Sequence, residues 1–349
     1  MTAALRVVDG AGRPHSVEAW TVAPAENAQL VAGDSVRFLA VGQLTITARV
    51  AVSSTASSTA SSAVAPTDTT LAQTLDIASP PSVAFDLLAS GNRDIYTVAL
   101  DGTGFTRLTT DAADDRHPTS AGGMVVFVSA RSGQDKLYTV PLTGGTAVRV
   151  TTGTTSEEDP ALVANASRLA YVVVTNATLP RLWTALVSGA NAGRDDAADG
   201  GSASAIEGQP SWSPSGDRVA YMSTRDGDAA IYVASYGGAT GSATKIAGGT
   251  GQGGNFEPTW SPDGARVAFT SNRDGGTDLY LASASGGNAT RLTHQGNLGE
   301  PAWLADGRLL LTRFVGTTSS ICWIDPAAPD VLHVIDTGDG AAAHSTPLR

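Results

Sequence analysis

The sequence predicts an all-β protein whose larger part is a six-bladed β-propeller. Three observations lead to this prediction. The composition suits short strands and tight turns, with 39 glycines among 349 residues and only two lysines, Lys136 and Lys245. A motif of about 45 residues recurs from residue 74 to the C terminus, the length typical of a propeller blade. Every copy contains short apolar segments and lacks the 3.6-residue periodicity of a helix.

Two segments precede the repeats. Residues 1–52 contain an alternating apolar segment, Leu44–Val50, and glycine turns at Gly10 and Gly33, which predict strands. Residues 53–73 form a Ser/Thr/Ala tract with almost no large apolar side chain, so they predict a linker. The propeller is therefore expected to span residues 74–349.

Two markers define the repeat. The first is a repeat proline, with spacings of 42, 50, 48, 43 and 46 residues, at Pro118, Pro160, Pro210, Pro258, Pro301 and Pro347. It opens a Pro-x-Trp strand at Pro210, Pro258 and Pro301, whereas the copies at Pro118 and Pro160 are weaker and the copy at Pro347 is cut off. The second is an aromatic residue after an aliphatic one, at Tyr96, Tyr138, Trp183, Tyr232 and Tyr280, with Cys322 in the sixth place. Counting the second marker predicts six blades.

The fifth repeat shows how one blade is built. Four strands are predicted, at Pro258–Trp260, Val267–Ser271, Asp278–Ala282 and Thr290–Thr293. Pro-Asp-Gly and Arg-Asp-Gly segments separate them, because proline and glycine supply the dihedral angles of tight turns. In the Arg-Asp-Gly turns, Asp226 and Asp274 are expected to bond their own backbone as Asx turns.

The first blade lacks a Pro-x-Trp strand of its own before Val83. The C-terminal segment His344–Leu348 has the pattern of that missing strand, so it is expected to close the ring and remove an open sheet edge. The tryptophans Trp212, Trp260 and Trp303 are expected to pack between blades.

These residues resemble the TolB-like β-propeller repeat, also called PD40. The resemblance rests on Trp-Ser-Pro-Asp-Gly at 260–264, Ser-Asn-Arg-Asp-Gly at 271–275, Asp-Leu-Tyr at 278–280 and Arg-Leu-Thr at 291–293. The fourth repeat matches well, whereas the third is degenerate and carries an insertion, Asn191–Ser204. The resemblance implies a propeller that binds a partner protein on the face around its central channel.

Residues 5–52 resemble the later part of a bacterial Ig-like domain of group 2. The matching segments are Val8–Pro14, Ala19–Val22, Ala40–Gly42 and Thr45–Ala48. The family's first strand has no counterpart before Leu5, so this resemblance implies an incomplete sandwich. Together with the linker, it implies a periplasmic, secreted or cell-surface setting.

Composition disfavours several function classes. The net charge is −11 and no Lys/Arg cluster exists, which disfavours binding to nucleic acid or to an anionic membrane. Cys322 is the only cysteine, so an intramolecular disulfide is excluded. No run of 18 apolar residues predicts a membrane span, and the N terminus lacks the pattern of a signal peptide.

Motifs for catalysis are also missing. The five histidines (His15, His117, His294, His333 and His344) show no metal-binding spacing, and no Gly-x-Ser-x-Gly nucleophile motif occurs. The glycine-rich stretch 248–254 lacks the Lys-Ser/Thr of a phosphate-binding loop. The sequence therefore predicts no catalytic, cofactor or metal site from its motifs.

One feature does suggest a binding site. The residues before the repeat prolines are His117, Asp159, Gln209, Glu257 and Glu300, with Thr346 in the closing strand. His344 is also equivalent to His117 in the repeat. In a closed ring these residues are expected to meet around one mouth of the channel, where like charges raise one another's pKa values. We expect a metal cation such as Ca²⁺, or a basic segment of a partner protein, to bind there; a hydrated rim is the alternative.

The sequence thus favours a monomeric, non-enzymatic binding or scaffold protein of the bacterial cell envelope. One alternative is an enzyme with its site in the channel, such as a polysaccharide lyase or a glycosidase, which would need positioned histidines or paired carboxylates. Another is a structural spacer within a larger surface protein.

Overall fold

The computed structural model divides the chain into two compact units, Met1–Pro80 and Pro81–Arg349. In the second unit the structure describes residues 81–187, 205–236, 243–248, 253–337 and 340–348, and in the first it describes the backbone of the strands. The insertion Asn191–Ser204, and residues 53–68 of the predicted linker, lie outside the described residues.

The first unit contains strands in three small sheets. They are β1 (Thr2–Ala4), β2 (Val7–Val8), β3 (Pro14–His15), β4 (Val17–Ala23), β5 (Ala28–Val31), β6 (Ser35–Phe38), β7 (Gly42–Val50) and β8 (Thr69–Ile77). The sheets have the orders β1-β6-β5, β2-β3 and β4-β7-β8. The relation of this unit to Ig-like domains stays a prediction.

The boundary between the units differs from the one expected at residue 74. That position lies inside β8, whose nine residues pair antiparallel with the whole of β7. Residues 69–77 therefore belong to a sheet of the first unit, and the propeller unit begins at Pro81.

The second unit consists of six antiparallel sheets, which agree with the six predicted blades. Blade 1 contains β9 (Ser82–Ala89), β10 (Asn92–Ala99) and β11 (Thr106–Arg107); blade 2 contains β12 (Asp115–Ala121), β13 (Met124–Ser129), β14 (Lys136–Pro141) and β15 (Val148–Arg149). Blade 3 contains β16 (Ser156–Leu162), β17 (Arg168–Val174) and β18 (Arg181–Leu186); blade 4 contains β19 (Glu207–Trp212), β20 (Arg218–Ser223), β21 (Ala230–Ser235) and β22 (Thr244–Ala247). Blade 5 contains β23 (Asn255–Trp260), β24 (Arg266–Ser271), β25 (Asp278–Ser283) and β26 (Thr290–Arg291); blade 6 contains β27 (Leu298–Trp303), β28 (Leu309–Val315), β29 (Thr318–Asp325) and β30 (Ala328–Val334).

The last strand, β31 (Ala341–Pro347), joins blade 1 by pairing with β9. The predicted closure by the C terminus is therefore confirmed. The register differs in one detail: Ala343 pairs with Asp86 and Thr346 pairs with Ala84, so the two bulged residues between them are His344 and Ser345. Ser345 thus takes the place of the repeat proline, and Pro347 takes the place of Trp260 in blade 5.

The repeat tryptophans pack between neighbouring blades, as predicted. Trp260 is 3% exposed and its indole N–H donates to the backbone carbonyl of Ser211 in blade 4 at 3.1 Å. Trp212 makes the same bond to Ala161 of blade 3 at 3.0 Å. Trp303 is buried against Ala268 of blade 5. Each ring therefore joins two blades through apolar contact, and Trp212 and Trp260 also donate a hydrogen bond to the neighbouring blade.

The Arg-Asp-Gly turns are stabilised differently from the Asx turns that the sequence predicted. Asp226 accepts hydrogen bonds from the Tyr232 hydroxyl and the Lys245 ammonium, both at 2.6 Å. Asp274 likewise accepts from the Tyr280 hydroxyl. The tyrosine of the following strand reaches the carboxylate, so these aspartates fasten the turn to two outer strands instead of bonding their own backbone.

Candidate functional site

The innermost strand of each blade, which is β31 in blade 1, carries a β-bulge at the equivalent repeat position. The bulged residues all have left-handed backbone angles, with φ of 52° at His117, 48° at Asp159, 54° at Gln209, 54° at Glu257, 53° at Glu300 and 51° at His344. Such angles are uncommon outside glycine and cost on the order of 1–3 kcal/mol each. Bulges reorient side chains, and here all six point their residues at the channel.

The six bulged residues line one cavity of about 210 Å³ at the channel mouth, together with the repeat prolines. The structure therefore brings together all five residues that the sequence singled out, namely His117, Asp159, Gln209, Glu257 and Glu300. The sixth is His344 and not Thr346, because Ser345 holds the proline position. His117 and His344 are in contact, with ring centroids 3.9 Å apart.

A belt of hydrogen bonds links the blades around this mouth. In each case a side chain accepts from the backbone N–H of the bulged residue in the next blade. The bonds run from Gln209 N to Asp159 Oδ2 (3.2 Å), from Glu257 N to Gln209 Oε1 (2.9 Å), from Glu300 N to Glu257 Oε2 (2.7 Å) and from His344 N to Glu300 Oε2 (2.7 Å). The left-handed backbone turns these N–H groups inward, so the bulges allow hydrogen bonds between neighbouring blades.

Asp86 belongs to this site, although the sequence gave no reason to select it. It lies in β9, is fully buried, and accepts from His117 N at 3.2 Å. Arg93 forms an ion pair with its other oxygen. The corresponding positions in blades 5 and 6 are Thr270 and Thr312, whose hydroxyls donate to Glu257 and Glu300 at 2.7 Å. Blades 2, 3 and 4 have Val128, Val172 and Met222 at this position, so the repeat has no constant residue there that would have pointed to Asp86.

The two histidines lie between carboxylates. The Nδ1 atom of His344 is 2.8 Å from Asp86 Oδ1, and its Nε2 atom is 2.9 Å from Glu300 Oε1. The Nδ1 atom of His117 is 3.1 Å from Asp159 Oδ1. Three of the four mouth carboxylates, those of Asp86, Asp159 and Glu300, therefore have an imidazole partner.

These partners change the electrostatics that the sequence predicted. For Glu300 and Asp159, burial opposes ionisation, but the hydrogen bonds and charges of His344 and His117 outweigh it; the pKa of Glu300 falls to about 2 and that of Asp159 falls below its usual value. Only Glu257 behaves as expected, because burial and the nearby Glu300 charge raise its pKa. The predicted mutual repulsion therefore holds for one carboxylate and not for the other two.

The ring of prolines divides the channel. Pro118, Pro160, Pro210, Pro258, Pro301 and Ser345 line both the mouth and a second cavity of about 200 Å³. The second cavity is lined by neutral residues, including Thr119, Ser211 and Thr346. Of these two cavities, only the one at the mouth is thus lined by charged side chains.

Within the described part of the chain, no three His, Cys, Asp or Glu side chains are arranged to hold a metal ion. The thiol of Cys322 is buried, and this burial raises its pKa to about 11. The described residues also include no helix able to cross a membrane.

Comparison with known proteins agrees with this architecture. TolB from Acinetobacter baumannii is similar over 97% of this chain and 83% of its own, with a TM-score of 0.68 and 15% identity. A chain of the nidogen/laminin complex is similar over 77% of this chain and 98% of its own (TM-score 0.61, 12% identity). An oligogalacturonate lyase solved with manganese is similar over 72% of this chain and 73% of its own (TM-score 0.51, 14% identity). At these identities the likeness establishes the fold alone, and no curated protein matches the sequence.

The family model that matches is PD40, the TolB beta propeller domain, over residues 186–332. This range runs from the end of β18 to β30 and includes the repeats that carry the resemblance most fully. Residues 186–332 therefore match the PD40 TolB β-propeller domain, and they lie within a unit of six propeller blades.

Proposed function

We propose that this protein is a non-enzymatic binding module of the bacterial cell envelope, periplasmic or at the cell surface, which holds a partner protein at the channel mouth. The observation that carries the proposal is the set of contacts made by the Glu257 carboxylate. Its Oε2 atom accepts from Glu300 N and the Thr270 hydroxyl at 2.7 Å, but no histidine or arginine of the described residues pairs with it. A half-buried carboxylate without a paired cation among the described residues favours a cationic ligand.

The surroundings of Glu257 suit a protein segment. Gly299 lies between the Glu257 carboxylate and the ring of Phe314, which is 38% exposed. A lysine or arginine beside an apolar residue would therefore meet a carboxylate and an aromatic ring in one place.

The alternative function, a polysaccharide lyase or glycosidase acting in the channel, finds less support. Glycosidases use two carboxyl groups that are free to exchange protons or attack the sugar. In this mouth Asp86, Asp159 and Glu300 are each engaged by an imidazole. Turnover of acidic or neutral polysaccharides by the purified chain would favour this alternative over the proposal.

Two matched variants test the proposal. Pull-down from a cell-envelope extract with the full chain identifies the partner, and titration then compares Glu257→Gln with Glu300→Gln. We expect Glu257→Gln to weaken binding by about tenfold or more and to reduce its salt dependence, because the ion pair between Glu257 and the partner's cation is lost. Glu300→Gln should mainly lower the melting temperature.

Equal affinity and equal salt dependence for wild type and Glu257→Gln would refute the proposed contact. A partner that binds the isolated first unit would place the interaction elsewhere. If the chain is only a structural spacer, the pull-down should recover no partner with wild type or with either variant.

A further inference from the structure

The closing strand brings His344 into the mouth, where its ring contacts that of His117. Both ring nitrogens of His344 lie within hydrogen-bonding distance of carboxylate oxygens, at 2.8 Å and 2.9 Å. An ionised carboxylate only accepts hydrogen bonds, and a neutral imidazole has only one N–H to donate. The geometry therefore requires a doubly protonated ring, which is an imidazolium cation.

The two partners of this cation come from opposite ends of the ring. Asp86 lies in the first blade and is fully buried, whereas Glu300 lies in the last blade and is 13% exposed. Glu300 also accepts the backbone N–H of His344 at 2.7 Å. His344 is therefore held on three sides, and its charge cannot leave the mouth without opening the strand β31.

We infer that His344 is the resident cation of the channel mouth: together with Arg93 it balances the charges of Asp86 and Glu300, keeps divalent metal ions out, and leaves Glu257 as the carboxylate for a cationic group of the partner. The charged and titratable groups facing it are Asp86 on β9, Arg93 on β10, His117 on β12, Asp159 on β16, Glu257 on β23 and Glu300 on β27. With Arg93 and His344 charged, two cations already balance two of the four carboxylates, so a divalent ion would meet fixed positive charge. Consistent with this, the two carboxylates raise the pKa of His344 to about 10 despite the opposing effect of burial.

Only the statement about Glu257 rests on the proposed function, and the experiments below use the chain without a partner. Failure of the two ideas can therefore be distinguished. In ¹⁵N-histidine NMR spectra the His344 signal is assigned from its absence in His344→Gln. We expect both ring nitrogens of His344 to remain protonated from pH 6 to pH 8. A neutral His344 ring at pH 7.5 would overturn the inference.

Calcium titration tests the charge itself. Wild type, His344→Lys and the control His294→Gln should show no saturable Ca²⁺ binding at millimolar concentration, because the mouth keeps its cation. His344→Gln removes the charge and should bind Ca²⁺ at least about tenfold more tightly. Saturable binding to wild type that Glu300→Gln abolishes, or identical affinities for wild type and a folded His344→Gln, would overturn the inference. If His344→Gln does not fold, the His344 signal is assigned from its absence in His344→Lys, and the NMR result on wild type decides the inference.

Discussion

Replacement of Trp260 by alanine tests the packing between blades 4 and 5. The indole is 3% exposed and packs among Val267, Phe269 and Tyr280, while the Arg218 guanidinium lies 4.6 Å from the ring centroid. Truncating a buried large side chain costs about 3–5 kcal/mol. The Ser211 carbonyl also loses its donor, which costs about 1–3 kcal/mol when the acceptor stays buried. We therefore expect a loss of about 4–8 kcal/mol in the free energy of unfolding.

Urea denaturation followed by circular dichroism measures this loss. Two control variants separate its causes. Trp260→Phe keeps most of the apolar area but removes the N–H donor, so it should cost about 1–2 kcal/mol. Trp323, half-buried on blade 6 and stacked on His333 with centroids 3.8 Å apart, should tolerate alanine better. A loss below about 1 kcal/mol for Trp260→Ala would refute the assignment of this ring to the blade interface.

Three further predictions follow from the ring. Deleting residues 341–349 exposes the edge of β9 and should cause aggregation or a clear drop in melting temperature, whereas deleting Arg349 alone should not; equal stability of both truncations would contradict closure by β31. The His344–Glu300 pair should stabilise the fold fully between about pH 4.5 and 6.5, because the pKa of Glu300 is lowered from 4.5 to about 2 and that of His344 is raised from 6.5 to about 10. The stabilisation is lost as pH falls towards 2 and as pH rises towards 10. His344→Gln should flatten the alkaline loss of stability. Arg273→Ala should cost about 1–2 kcal/mol, because the guanidinium lies 4.5 Å from the Tyr280 ring centroid; a melting temperature equal to that of wild type would count against the stack.

The repeat made much of this protein predictable from its sequence. Prolines and aromatic residues recurring at a nearly constant spacing indicated six blades, and the tryptophans indicated the blade interfaces. The C-terminal strand was predicted because blade 1 lacked its own Pro-x-Trp segment. Five of the six mouth residues were predicted in the same way, since equivalent positions of identical blades meet around the ring axis.

The partners of those residues could not be predicted. Asp86, Glu300 and His344 are far apart in the chain and meet only because β31 closes the ring. Their proximity lowers the pKa of Glu300, whereas the repeat alone indicated that all the acids would raise one another's pKa values. The bulge also placed His344, and not Thr346, at the mouth, because it lies two residues earlier in the closing strand than the position of Pro347 indicated.

The sequence by itself thus determined the number of blades, their order and the ring of residues around the mouth, because these follow from a local pattern repeated along the chain. The tertiary structure alone decided which charges are balanced and that Asp226 and Asp274 bond tyrosines of the next strand. It also decided that no cationic side chain of the described residues forms an ion pair with Glu257, whose pKa is raised by burial and by Glu300. Electrostatic energy depends on distance in space and on burial, and both are set only when the six blades close into one ring.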